Sequence, residues 1–308
     1  MQLSVYLPFL FSAMFGFAAP VLARRLPPQV GTWLLGAGGL LAAAGSVASL
    51  ALLGFTLVGQ SPILADTGRW SDTTLRRADP VATPVALVAL LLLAVVVVRF
   101  VHAAARRLIA LRHAYRLAAS LPASGGELAV IDDPGRQAYA VPGRPGRIVV
   151  STGLLRGLDA GERRAVLAHE RAHLTCRHHL HHTITHLATA ANPLLSRLPA
   201  AVALSTERWA DESAAAMSRR DTVADALSRT AIRQSPLSAA RAVVLAATAT
   251  EVLSRVQALR APAPRLTVWR VAVLVALLGA TAAAVLLAAH DTEQLFELAQ
   301  RAYRVTHP

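Results

Sequence analysis

A chain of 308 residues with 54% apolar residues, 16% charged residues and a mean hydropathy of +0.46 is too apolar for an ordinary water-soluble domain and reads as a membrane protein. Its formal charge of +13 comes from 31 basic residues, all of them Arg. No recognised nucleic-acid-binding motif accompanies that charge, and much of it stands beside apolar runs, where it suits anionic lipid headgroups.

Residues 1–23 carry no charge and are followed by Arg24 and Arg25. They lack the basic start of a cleaved signal peptide, so they read as a retained span. Residues 26–65 are also charge-free, with a second span expected at 33–58. Gly36, Gly38 and Gly39 fall within it, where small residues mean close helix packing. The segment from 60 to 80 balances Arg69, Arg76 and Arg77 against Asp66, Asp72 and Asp79. A third span is expected at 81–98, followed by Arg99, Arg106, Arg107, Arg112 and Arg116. Residues 103–119 should continue it as a helix, until Pro122 and the Gly125-Gly126 pair break it. Short strands are expected at 127–131, 137–141 and 147–151, between Asp-Pro-Gly and Pro-Gly turns. Such a strand could pair with an extended peptide beside a reactive centre. A purely structural hairpin fits the sequence equally well.

Asp159 and Glu162 form an Asp-x-x-Glu capping box that opens a helix. That helix carries His169-Glu170-Arg171-Ala172-His173. Two imidazoles four residues apart share one helix face and can grip one Zn²⁺, while Glu170 can reach a metal-bound water without being a ligand. With 11 His in the chain, chance produces the pattern only about 0.01 times. An open catalytic site needs a third protein donor. Glu207 can supply it, and Asp211, four residues on, can accept a hydrogen bond from the far nitrogen of a ligating His.

His178, His179, His181, His182 and His186 invite a second metal. No carboxylate lies among them and Pro193 ends the element, so a solvated or membrane-surface turn is the preferred reading. Residues 183–204 are apolar but hold Asn192, Pro193, Arg197 and Pro199. They are expected as a helix pair packed on the protein or lying at the interface. A fifth span there would put Glu207 across the membrane from His169. Cys176 is the single cysteine, which excludes an intramolecular disulfide; it reads as a small buried thiol. A fourth span is expected at 271–289, preceded by Arg260, Arg265 and Arg270. The Arg asymmetry then puts both termini outside and residues 100–268 in the cytoplasm of a cell-membrane protein.

The series H-E-x-x-H, then His178, then Glu207-Arg208-Trp209-Ala210-Asp211 resembles the integral-membrane gluzincins. These include the HtpX and CAAX-prenyl-protease type and the antirepressor peptidases related to the β-lactam sensor-transducers. Ala138-Tyr139-Ala140-Val141-Pro142-Gly143 and Ile148-Val149-Val150-Ser151-Thr152-Gly153 are similar to the strand pair and turn before their zinc helix. The resemblance covers about residues 125–260, and the span layout looks more like the antirepressor branch. It implies one Zn²⁺ per chain on His169, His173 and Glu207, with Glu170 as general base and Asp211 behind a ligand. Some relatives use a later His or Arg to stabilise the oxyanion. No His lies between His186 and His290, which leaves Arg255 as the substitute.

The expected fold is a mainly α membrane protein, with four transmembrane helices and a cytoplasmic α+β zincin-like domain inserted between spans three and four. Its parts are three spans in 1–100, the peptidase domain in 101–267, the fourth span in 268–290 and a short outer tail in 291–308. The expected function is a zinc-dependent endopeptidase cleaving a protein or peptide on the cytoplasmic side, with a cytosolic transcriptional repressor as one candidate substrate. Membrane lipid is the other expected partner; direct nucleic-acid binding is not expected. The alternatives are a quality-control protease of HtpX type and a non-enzymatic metal-binding sensor or scaffold, which would have no need of Glu170. A metal transporter would place His or carboxylates inside its spans, and these have none.

Overall fold

The computed structural model describes residues 4–122, 126–232, 252–262, 265–266 and 268–306. Among these, four helical segments are long and apolar enough to cross a membrane: Ser4–Arg25, Pro28–Gly59, Thr83–Ser120 and Val271–Thr306. The first contains α1 (Leu7–Arg25), the second is α2 (Pro28–Gly59) and the third is α5 (Thr83–Ser120). Between the latter two lie short helices α3 (Pro62–Gly68) and α4 (Asp72–Ala78). The last long helix is α12 (Val268–Thr306). Both α5 and α12 run well past their apolar stretches, so the segment after residue 290 is helix through Thr306.

In sequence, the remaining elements stand between α5 and α12. Strands β1 (Leu128–Ile131), β2 (Ala138–Val141) and β3 (Arg147–Ser151) form one sheet of order β1-β3-β2, with β1 parallel and β2 antiparallel to β3. Ile148, Val149 and Val150 of the central strand are buried, as a strand covered on both faces requires. Next come α6 (Thr152–Gly157), α7 (Ala160–Thr175), α8 (His178–Ala191), α9 (Leu198–Met217), α10 (Arg220–Ile232) and a helix at residues 252–260, α11.

The apolar stretch at 183–204 is the hairpin of α8 and α9, and it packs inside the bundle of long helices rather than along its surface. Phe15, Ala19, Leu35, Ala42, Leu195 and Leu198 share one buried cluster. A methyl group at Gly16 would collide with the Leu194 carbonyl, and one at Gly39 with the Leu198 side chain. The absent side chains at these two glycines admit the hairpin. Its irregular turn lies level with the middle of α1 and α2, where backbone groups need protein partners. Asn192 supplies them: its Nδ2 donates to Ser46 Oγ (2.8 Å), and its Oδ1 accepts from the Leu194 N–H (3.1 Å). Ser12 completes the cluster, 3.0 Å from Ser46 Oγ and donating to the Ala42 carbonyl.

The opposite arm of the hairpin returns to the end of the bundle where α1 meets α2. Ser205 Oγ donates to the Pro28 carbonyl (3.0 Å), and the Arg208 guanidinium donates to the carbonyls of Ala23 and Arg24 at the end of α1. The α9 segment beyond residue 205 is thereby tied to one end of the bundle.

Candidate metal centre

Helix α7 is fixed at its start by the expected capping box. Asp159 Oδ1 accepts from the Gly161 and Glu162 N–H groups (2.8 Å each), and the Glu162 carboxylate accepts from the Asp159 N–H (3.0 Å). Such a cap stabilises a helix by ~1 kcal/mol and sets its register. That register puts His169 and His173 on one face, their Nε2 atoms 3.2 Å apart. Helix α9 packs across α7 and brings Glu207 to both: Oε2 is 3.5 Å from His169 Nε2, and Oε1 is 3.5 Å from His173 Nε2. The three donor atoms lie within 4.8 Å of one another.

Each imidazole also has its far nitrogen held. Asp211 Oδ1 is 3.0 Å from His169 Nδ1. His173 Nδ1 is 2.9 Å from His178 Nδ1. Arg255, on α11, spans the carboxylates: Nε and Nη2 donate to the two oxygens of Asp211 (2.8 and 2.7 Å), and Nη1 stands 2.9 Å from Glu207 Oε2. The guanidinium expected from sequence to serve an oxyanion is thus hydrogen-bonded to Asp211 and paired with Glu207.

Two imidazole nitrogens and a carboxylate, converging from two helices and oriented from behind, fit a zinc-type ion that keeps an open position. The local charges agree. Burial alone would lower the His169 pKa, but hydrogen bonds to Asp211 and Glu207 and their charges raise it to about 9. Burial lowers His173 to about 4. Burial would raise Glu207, yet the His169 hydrogen bond and the Arg255 charge hold it far below the ordinary carboxylate range. Without a cation, a proton on His169 takes the place between the two acids.

Glu170 lies beside this triad and is not part of it. Burial raises its pKa, against the opposing pull of the His169 charge and a hydrogen bond from the Ala140 N–H. That bond places the edge strand β2 over the centre. Ser151 N–H donates to the Gln137 carbonyl. In an antiparallel ladder this turns the N–H and C=O groups of Ala138 and Ala140 away from β3; the Ala140 N–H meets Glu170, and the other three face the open edge. A cavity of about 440 Å³ adjoins the donors on one side, with Leu154, Val166, Val223 and Leu227 among its lining. A second recess of about 320 Å³, flanked by Pro142, His179 and His182, adjoins them on the other.

The structure changes two expectations for the neighbouring chain. The His-rich segment is not a solvated turn: His178 and His181 are buried, His181 lies edge-on to Trp33 (4.7 Å between ring centres), and His182 Nε2 is 3.2 Å from Thr206 Oγ1. The reason is the hairpin, which draws the start of α8 against α2 and α9. Cys176 is half-buried rather than buried, because it caps the end of α7. Sequence reasoning missed the His178–His173 contact and the contribution of α10 to the larger cavity. His178 stands five residues beyond His173, a spacing that a straight helix would not bring together. Arg177, in the left-handed region at φ 50°, makes the reversal.

A family model described as peptidase family M48 matches residues 101–308. No curated protein and no solved structure matches the chain.

Proposed function

Since the chain belongs to peptidase family M48 and is therefore a metallopeptidase, we propose that it is a zinc-dependent membrane endopeptidase that cleaves protein substrates on the cytoplasmic side. The observation that carries this reading is the convergence of His169, His173 and Glu207, with the carboxylate of Glu170 beside them and uncommitted to the donor set. His169, His173 and Glu207 would hold the ion, which when bound supplies Lewis-acid polarisation of water and of a peptide carbonyl.

The other tasks fall to the chain. The outward N–H and C=O of Ala138 and the outward C=O of Ala140 offer a strand edge on which an extended peptide can lie, with side chains entering the recesses on either side. The larger recess, with Leu154, Val166, Val223 and Leu227 in its lining, suits an apolar residue next to the scissile bond. Glu170 takes the proton from the attacking water and returns it to the departing amine; its burial-raised pKa brings it closer to the neutral range such a group needs. Asp211 holds His169 in the tautomer that presents Nε2, and Arg255 fixes Asp211 and Glu207 together.

The position of the centre favours a substrate presented at the bilayer. Glu207 is two residues beyond the Ser205–Pro28 tie at the start of α2. This suits clipping of membrane proteins in quality control. A second reading, cleavage of a cytosolic repressor in signalling, is favoured by the far end of the bundle. There α4 and the distal part of α12 meet: the Ser71 N–H donates to the Ala299 carbonyl, and Trp70 packs on Phe296. That assembly offers an external signal a place to act.

The test is direct. Purified in detergent, the full chain should cleave an unstructured protein, lose that activity to a chelator and regain it with added zinc. Undiminished cleavage after the zinc has been stripped, shown by metal analysis, would contradict the proposal.

A further inference from the structure

His178 begins α8 immediately after the left-handed turn at Arg177, which folds it back against the last turn of α7. It is 1% exposed, and its ring stands perpendicular to that of His173, with centres 4.8 Å apart. Its Nδ1 lies 2.9 Å from His173 Nδ1. Its Nε2 is buried with no hydrogen-bond partner. The ring also packs on Trp209, two residues after Glu207, with centres 5.0 Å apart.

Counting protons fixes both rings. An imidazole nitrogen that binds a cation must offer a lone pair, and a neutral imidazole carries one N–H. His173 turns Nε2 towards Glu207 and His169, so its proton sits on Nδ1. That N–H points at His178 Nδ1, which must then accept. The proton of His178 is left on Nε2, the atom without a partner. A short contact between like nitrogens and an unpaired buried nitrogen on the same ring thus share one explanation.

We propose that His178 is a positioning residue: as a neutral acceptor it locks His173 in the tautomer that binds the metal through Nε2, as Asp211 does for His169. The two ligands of α7 are then braced differently, one by an anion and one by a neutral ring. The neutral brace adds no negative charge to a centre already served by Glu207 and Asp211. The buried N–H is the cost of that arrangement.

The inference rests on the metal reading of the centre, and the experiment separates the two. Zinc affinity is measured by competition on the detergent-purified full chain for the wild type, His178→Asn and His178→Leu. Asn and Leu are close in size, but only Asn carries an acceptor where Nδ1 was. The expected result is affinity near the wild-type value for Asn and a 10- to 100-fold loss for Leu, the usual effect of removing a partner behind a ligand. Equal affinities for Asn and Leu would overturn the proposal, because a packing role does not distinguish them. Should His178→Leu fail to fold, the zinc-loaded wild type decides: ¹⁵N spectra of its histidines must show His178 protonated at Nε2, and protonation at Nδ1 overturns the proposal. A wild type that binds no zinc removes the metal reading itself.

Discussion

The chemistry of the centre is set by a handful of side chains whose charges were chosen by their neighbours. Ion pairing raises the pKa of His169 to about 9, whereas burial lowers that of His173 to about 4 and Glu207 stays ionised. In the metal-free protein near pH 7.5, His169 therefore holds a proton that zinc must displace. Zinc uptake should release about one proton per ion, readable by calorimetry in buffers of different ionisation enthalpy. Uptake with no proton release would contradict the His169–Asp211–Glu207 arrangement. The same shift has a sign for stability. Because the folded-state pKa lies above the ordinary 6.5, the stabilisation that protonated His169 gives the metal-free protein is complete below about pH 6.5 and lost as pH rises through about 9. At this scale the sequence was most legible. A motif on a helix states its own geometry, so the convergence of His169, His173 and Glu207 could be anticipated from spacing. His178 could not, because its contact depends on a left-handed Arg177 that no local pattern announces.

At the scale of elements, the hairpin of α8 and α9 builds the centre. It delivers His178, Glu207 and Asp211 from one end while its turn is buried between the long helices. The sequence marked the segment as apolar with interruptions, and those interruptions proved to be the structure. Asn192 and Pro193 make the turn, Gly16 and Gly39 vacate space for it, and Ser12 and Ser46 complete its hydrogen bonding. Replacing Asn192 with Leu would leave the Leu194 N–H without its side-chain acceptor and leave Ser46 with Ser12 alone. A buried group so stranded costs ~1–3 kcal/mol. Unfolding in detergent should show a loss of that order together with weaker zinc binding, because α9 would lose its anchor. Unchanged stability would mean that the Asn192 cluster does not hold the hairpin. The strands were legible as turns separating apolar runs. Their order was not, since a β1-β3-β2 sheet pairs the last strand between the first two.

For the whole molecule, the four long helices were read from charge-free runs and the structure contains a helix at each. The extension of α5 and α12 beyond the apolar stretches was only partly visible, because helix continuation there depends on packing rather than hydropathy. The Trp70–Phe296 contact shows that packing at the distal part of α12. The proposed orientation rests on the Arg asymmetry alone and is open to test. A reporter inserted after Arg116 should report the cytoplasm, and one fused after the last residue the outside. Both reporters on one side would contradict the four-span topology.

Glu170 separates a centre that hydrolyses peptides from one that merely holds metal. Glu170→Gln keeps every donor atom of the triad and removes only the proton acceptor. The decisive measurement is zinc content and substrate cleavage in the same purified sample of wild type, Glu170→Gln and His173→Ala. The predicted result is wild-type zinc content in Glu170→Gln with cleavage reduced ~10²- to 10⁴-fold, and loss of both in His173→Ala. Cleavage by Glu170→Gln at the wild-type rate, with His173→Ala inactive, would contradict the account.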